Sequence, residues 1–299
     1  MMKKQAVIFV NPYIETEAEK FQPRRIKEEL EALGVRTDIL PNLFLAHVGR
    51  EGIAAELAKK YDFGVYLDKD KYAARLLEGA GMRLFNRAEA IETCDDKLLT
   101  HIALAGKVPM PKTLPAPLCY KSARASEERA AEIIETIGLP VVVKECFGSF
   151  GKQVYLAMSA DELEHYISAL KEKPHLYQEF IAESAGKDLR VITVGGEPVA
   201  AMKRTSAGDF RSNLACGGKG EKVIPDREAV ALCRRISEVL DLDYCGIDLL
   251  FGREGMLVCE VNSNAFFGGI ERVTGVNVAR AYSEHIVKKI YGFEQKNVQ

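Results

Sequence analysis

Residues 244–262 read YCGIDLLFGREGMLVCEVN, and the alternation inside this stretch orders the reading of the whole chain. Two apolar runs, 244–251 and 256–261, flank Arg253-Glu254-Gly255, which suits a three-residue hairpin turn ending on a left-handed glycine. That register sets Gly252 opposite Met256, Leu250 opposite Val258, and Asp248 opposite Glu260. Side chains alternate along a strand, so Asp248, Glu260 and Asn262 share one face. Ile247, Leu249, Phe251, Leu257, Cys259 and Val261 share the other, which reads as core. Opposed carboxylates repel by up to about 1 kcal/mol on a sheet surface. A divalent cation removes that cost, and hard oxygen ligands suit Mg²⁺ or Mn²⁺. A two-residue turn would instead pair Asp248 with Cys259, and an acid facing solvent is the plainer alternative.

Upstream, Val141-Val142-Val143-Lys144-Glu145-Cys146 is a short apolar strand interrupted by a lysine. Lysines are rarely buried without a partner, and a phosphate is a natural one. Phe147-Gly148-Ser149-Phe150-Gly151-Lys152 follows, and strand character resumes over 154–157. Gly148 and Gly151 would let backbone N–H groups approach phosphates closely. The spacing of a P-loop is absent, and an ordinary hairpin turn explains the same glycines. Further on, Gln178-Glu179-Phe180-Ile181 is a strand with polar members that could meet an adenine edge. Asp188 and Arg190 fall two apart, on one strand face. Arg211-Ser212-Asn213 with Gly217, Gly218 and Lys219 forms a polar segment. Each of these, taken singly, is more often a solvated surface feature than a ligand.

The remaining signals divide the chain. Strands over 6–10, 35–40 and 63–67 alternate with helices over 26–33 and 53–60, the pattern of βαβ units on a parallel sheet. No G-x-G-x-x-G follows the first strand, although Asn11-Pro12-Tyr13 sits where either a ligand loop or a plain turn would. A helix over 95–105, an extended proline-rich linker over 108–117 and a helix over 126–137 come next. Ser159-Ala160-Asp161-Glu162 is a capping box opening a helix to Leu170, and 176–181 is a strand. A hairpin over 189–194 and 199–203 turns at Gly195-Gly196-Glu197, and helices cover 226–240, capped by Asp226, and 277–290. The fold class is α/β, becoming α+β towards the C-terminus, with domains at 1–93, 94–182 and 183–299.

Composition excludes several functions. The 299 residues carry 41 Lys+Arg against 43 Asp+Glu, a net charge of -2, so a polyanion-coating role is not supported. The seven cysteines contain no C-x-x-C pair, which predicts reduced thiols in a cytoplasmic protein rather than a disulfide frame or zinc site. Lys3 and Lys4 precede an apolar run too short for a signal peptide, and no run is long enough to span a membrane. Five histidines show no H-E-x-x-H spacing, and no nucleophile elbow or kinase motif occurs. Trp is absent, so no base-stacking platform is indicated. The expectation is a soluble, cytoplasmic, multi-lobed protein without nucleic-acid or membrane partners, with homo-oligomerisation left open.

Taken in order, these segments resemble an ATP-grasp enzyme, and within that superfamily the RimK-like amino-acid (α-L-glutamate) ligases. The matching stretches are Asp96-Lys97 opening a helix, Val141 to Lys144 before the glycine loop, and Tyr177-Gln178-Glu179-Phe180-Ile181. They continue through Gly186-Lys187-Asp188-Leu189-Arg190, Gly208 to Leu214, Gly246-Ile247-Asp248 and Glu260-Val261-Asn262. The RimK-like branch rests on Asp209 to Asn213 and on Gly269-Ile270-Glu271 with Thr274-Gly275. The chain departs from the family after Asn262, where Ser263-Asn264-Ala265-Phe266-Phe267-Gly268 lacks the usual proline.

The resemblance implies an ATP-grasp fold behind an N-terminal parallel-sheet domain, and an ATP-dependent ligase that joins a carboxylate to an amine through an acyl phosphate. It implies ATP phosphates on Lys97 and Lys144, with Gly148, Ser149 and Gly151 in a movable lid. Gln178, Glu179, Phe180 and Ile181 would bind adenine, and Asp188 the ribose region, with Arg190 among the nucleotide-binding residues. Asp248, Glu260 and Asn262 would hold two Mg²⁺ or Mn²⁺ ions, and Arg211 and Asn213 would face the transferring phosphoryl group. The reactants would be small-molecule or peptide carboxylates and amines. A D-amino-acid dipeptide or natural-product peptide ligase, and a non-catalytic ATP-binding module, stay open as alternatives.

Overall fold

The computed structural model describes residues 4–42, 52–119, 127–149, 151–212 and 217–296. The first sheet is parallel, in the order β2-β1-β3-β4, with β1 Gln5–Val10, β2 Arg36–Pro41, β3 Phe63–Leu67 and β4 Leu84–Phe85. Ala6 to Phe9 are fully buried, as expected of a parallel strand covered on both faces. Helices α1 Glu17–Ala32, α2 Ile53–Lys60 and α3 Lys71–Gly79 connect these strands. α1 starts nine residues before the helix expected over 26–33. A capping box between Thr16 and Glu19 fixes the first turn, and the helix continues through a buried Pro23.

The helix expected over 95–105 is α5 Lys97–Leu104, and a further helix that the sequence reading did not place, α4 Ala88–Asp95, precedes it. Asp96 separates them and caps α5, accepting from the N–H groups of Leu98 and Leu99 at 2.8 and 3.1 Å. Lys97 therefore begins a helix at a corner.

A second, antiparallel sheet has the order β5-β8-β6-β7, with β5 Thr113–Pro115, β6 Val141–Glu145, β7 Val154–Ala157 and β8 His175–Glu179. β5 lies within the stretch read as linker; its prolines confine it to the sheet edge. The glycine segment does connect two strands, β6 and β7. Helices α6 Glu127–Ile137 and α7 Ala160–Leu170 belong to this lobe, and Ser159 caps α7.

The third sheet is also antiparallel, in the order β11-β10-β9-β12-β13. It contains β9 Lys187–Val194, β10 Glu197–Thr205, β11 Lys219–Lys222, β12 Tyr244–Phe251 and β13 Met256–Asn262. Helices α8 Arg227–Val239, α9 Gly268–Thr274 and α10 Val278–Lys296 complete the chain. The β9–β10 turn is Gly195-Gly196, both with positive φ, so Glu197 starts a strand rather than ending the turn.

The carboxylate hairpin corrects its own expected register. Gly252 N–H bonds the Gly255 carbonyl at 2.9 Å, a four-residue turn pairing Phe251 with Met256. An unpaired residue, Cys259, then bulges out of β13 and restores the pairing of Asp248 with Glu260. Leu250 consequently faces Leu257, not Val258, and Val258 replaces Cys259 on the core face.

Packing divides the molecule unevenly. Ile8, Phe63 and Phe85 of the first sheet share one core with Ile192, Tyr244, Phe267 and Tyr282 of the C-terminal part. The second sheet has its own core of Val141, Val143, Leu163, Ile167 and Tyr177. No helix among the described residues is long and apolar enough to cross a membrane. Gly246 lies at a tight point between β12 and the following loop. A Cβ there would stand 2.5 Å from the Ala265 Cβ and 3.2 Å from Arg190 Nη1. Gly246→Ala is expected to cost about 1–3 kcal/mol in urea unfolding through overpacking. Ala265→Gly in the same chain should recover part of that loss.

Candidate active site

A cleft opens between the second and third sheets. Val142 and Lys144 line it because alternate residues of β6, Val141 and Val143, point into the core beneath. Lys144 is buried, and its ammonium meets the Cys259 thiol at 3.5 Å. Lys97 reaches in from α5, donating to the Gly148 carbonyl at 3.2 Å and standing 3.8 Å from the Glu260 carboxylate. Two lysines from different elements thus converge beside the loop carrying Gly148, Ser149 and Gly151, all of which line the cleft.

Arg211 closes this end by donating to the Gly151 carbonyl at 2.6 Å. It also pairs with Asp209, whose carboxyl its hydrogen bonds hold below the usual range. At the other end lie Gln178, Glu179, Phe180 and Ile181. Phe180 packs edge-on against Phe210, and the Glu179 carboxylate accepts from Lys112 N–H at 3.2 Å.

A buried ionic network forms the floor on the third sheet. Arg204 forks onto both oxygens of Asp188 and reaches Asp248 at 2.9 Å. Arg190 forks onto Asp248 from the adjacent strand, with its second bond at 2.7 Å. Burial would raise the Asp248 carboxyl, but the charges of Arg190 and Arg204 outweigh it and hold the group below its ordinary value. Burial pushes Asp188 up, and Asp248 adds to that rise against the hydrogen bonds from Arg204.

A second cleft adjoins the first and shares Ser149, Arg204 and Glu260 with it. Its walls combine Asn11, Asp68 and Lys69, which follow the C-terminal ends of β1 and β3, with Arg190, Asn262 and Phe266. Asn11 therefore faces a cleft, while Tyr13 beside it is 84% exposed. Among the described residues no three Asp, Glu, His or Cys side chains gather as a metal cluster. The candidate set is two carboxylates and the Asn262 amide.

Of the residues singled out in the sequence, Lys97, Lys144, Gly148, Ser149, Gly151, Gln178 to Ile181, Asp188, Arg211, Asp248 and Glu260 line one cleft. Arg190 and Asn262 line the adjoining one. Asn213 lies outside the described residues. Arg204 escaped notice because a bulge after Pro198 shifts the β9–β10 register and brings it opposite Asp188. The signal available was a lone arginine at the end of an apolar strand. Cys259 escaped because a bulge cannot be read from alternation.

A sequence profile described as the RimK-like ATP-grasp domain matches residues 94–286. The chain belongs to this family. N-acetylaspartylglutamate synthase A of Homo sapiens is 35% identical over 225 residues, 74% of this chain and 56% of that protein. A probable alpha-L-glutamate ligase of Maridesulfovibrio salexigens is 36% identical over 219 residues, 72% of this chain and 70% of that protein. The chain thus spans little more than half of the human synthase. The RimK domain ATP-grasp protein of Sphaerobacter thermophilus superposes with a TM-score of 0.70 at 22% identity, covering 94% of this chain and 98% of that one. The ATP-grasp ligase PsnB, solved with minimal precursor, Mg and ADP, gives 0.70 at 16%, covering 97% and 99%. These likenesses identify the ATP-grasp fold: a parallel four-stranded sheet followed by two antiparallel sheets.

Two tests follow from the geometry of this RimK-like site. Arg204→Met strands buried Asp188 and leaves Asp248 to Arg190 alone, and it is expected to cost about 3–5 kcal/mol, read as a lower urea midpoint at unchanged slope. The second concerns His101 on α5, whose pKa is lowered to about 4 by burial and then by the nearby Lys144. A folded pKa below the unfolded value of 6.5 means the unfolded chain takes the proton first. The associated stability is whole above pH 6.5 and falls towards pH 4, by on the order of 3 kcal/mol. His101→Leu should flatten that part of the urea stability profile.

Proposed function

We propose that this chain is an ATP-dependent carboxylate–amine ligase that forms an amide bond through an acyl phosphate. The observation that carries this reading is the junction of two clefts at Glu260, one lined by lysines and a glycine loop, the other by polar groups from two lobes. ATP would occupy the first cleft and the joining reactants the second. Lys97 and Lys144 would hold the triphosphate, and the loop with Gly148, Ser149 and Gly151 would close over it. The strand end Gln178 to Ile181 would take the adenine. Both Asp188 oxygens are engaged by Arg204, so Asp188 would serve the ribose end with Arg204 as one unit.

The donor set suits a hard divalent cation, since Asp248 is held ionised and stands opposite Glu260 across the hairpin, although a cation there would have to share Asp248 oxygens with Arg190 and Arg204. Asp248, Glu260 and Asn262 would hold two Mg²⁺ or Mn²⁺ ions, which supply charge neutralisation for the phosphates. The protein's own part is positioning: a carboxylate attacks the γ-phosphate, ADP leaves, and an amine then displaces phosphate from the acyl phosphate. Arg211 and Asn213 would steady the transferring group. No covalent nucleophile is needed, in keeping with a cleft that offers charges and amides.

The names of the relatives support glutamate as the amine, and the PsnB complex with a precursor supports peptides among the reactants. We further place domains at 1–93, 94–182 and 183–299. The six described cysteines are free, which supports a cytoplasmic setting.

Glu260 is partly exposed and only 3.8 Å from one lysine, so its loss should spare the fold. Glu260→Ala is expected to lower Mg²⁺-dependent ADP formation by at least roughly 10²–10³-fold, the scale for removing a transition-state stabiliser. Thermal unfolding should be nearly unchanged. Normal turnover by this variant would sink the assignment, and ADP release against pools of carboxylates and amines would name the reactants.

A further inference from the structure

Gln178 lines the nucleotide cleft although only 2% of its surface is exposed. It lies on β8 opposite Val142, while Lys144 lies two residues further along β6. The amide therefore marks the end of the cleft away from the phosphate-binding lysine. Both of its N–H groups have partners behind the cleft wall. One goes to Thr113 Oγ1 at 2.9 Å and the other to His101 Nε2 at 3.2 Å. Thr113 directs its single hydroxyl hydrogen to the Pro111 carbonyl at 3.0 Å, so its oxygen can only accept from Gln178. His101 Nε2 must likewise accept, which makes the ring neutral with its proton on Nδ1. Burial and Lys144 both favour that neutral form. Nδ1 is buried and has no partner among the described residues, so nothing at that atom explains why a histidine stands here.

The consequence is a fixed polarity. With both N–H groups turned inward, the Gln178 carbonyl oxygen has no protein partner among the described residues and belongs to the cleft. Reversing the amide would move the imidazole proton to Nε2 and set the amide oxygen against a Thr113 oxygen whose hydrogen is engaged with Pro111, forfeiting that buried hydrogen bond.

We propose that His101 is a positioning residue that holds the Gln178 carbonyl toward the cleft, so that the site selects a purine with an amino donor at its six-position over a six-oxo purine. This rests on the reading of the cleft as an ATP site. His101 touches no nucleotide in this scheme; it acts through Gln178, and the six-position of the base reads the outcome. Lys144, Lys97 and Glu260 are untouched, so phosphoryl chemistry proceeds as before once nucleotide is bound.

The test measures Mg²⁺-dependent binding of ATP and inosine triphosphate by displacement of a fluorescent ATP analogue from the full-length protein. Wild type is compared with His101→Leu, His101→Gln and Thr113→Val. Wild type should prefer ATP by at least about tenfold, the scale set by one buried hydrogen-bonding group. His101→Leu should shrink that preference to about threefold or less, chiefly by weakening ATP, with kcat at saturating ATP within about twofold. His101→Gln restores an acceptor near the Nε2 position and should keep most of the preference. Thr113→Val removes the other acceptor and should lower it at least about threefold, which decides the matter if the leucine variant fails to fold. An unchanged preference in folded His101→Leu or in Thr113→Val overturns the role of His101 alone. So does an equal loss in the leucine and glutamine variants, because shape rather than an acceptor would then matter. Failure of both nucleotides to displace the probe from wild type overturns the ATP-site reading, and this proposal with it.

Discussion

Two carboxylates and two guanidiniums, buried side by side across β10, β9 and β12, constrain everything around the cleft. Removing four charges from water costs several kcal/mol per ion, and only near-ideal pairing returns it. The planar forks of Arg190 and Arg204 provide that pairing, and they accept no other register. A slip of one residue in any of the three strands would turn a charge into the apolar layer that holds Leu189, Val191, Ile247 and Leu249. The network therefore makes the third sheet rigid where Asp248 and Glu260 must face one another.

The distribution of apolar contacts complements that rigidity. The first and third sheets are fused through one core, so the second cleft has walls of fixed spacing. The second sheet closes the first cleft from a lobe with a core of its own. Among the described residues, contacts between that lobe and the rest near the cleft include Lys97 on Gly148, Arg211 on Gly151 and Lys144 on Cys259, with Phe180 packed on Phe210. At the lysine end a nucleotide entering there has hydrogen bonds to exchange.

Much of this was legible in the sequence, and the reasons differ by element. β3, β7, β12 and α2 stand where apolar alternation or helical spacing put them, since each is marked by its own local pattern. The opposition of Asp248 and Glu260 was also legible, but through two compensating departures, a longer turn and a bulge. Irregularities that insert one residue leave no trace in composition, which hid both Arg204 and Cys259. α1 was foreshortened because residues 17–25 are mostly polar and carry little apolar spacing. The link between His101, Thr113 and Gln178 joins three separate elements, and only tertiary structure could bring them together.

The bulge at Cys259 also sets how firmly the cleft holds its own lysine. A thiol is a weak acceptor, so the contact at 3.5 Å steers the Lys144 ammonium without satisfying it. Had the bulged position carried a carboxylate, the lysine would have been neutralised in place, and an incoming phosphate would have to compete with a permanent anion. A soft sulfur keeps the seat warm instead: the cation stays aimed and stays hungry, and its affinity is reserved for the guest.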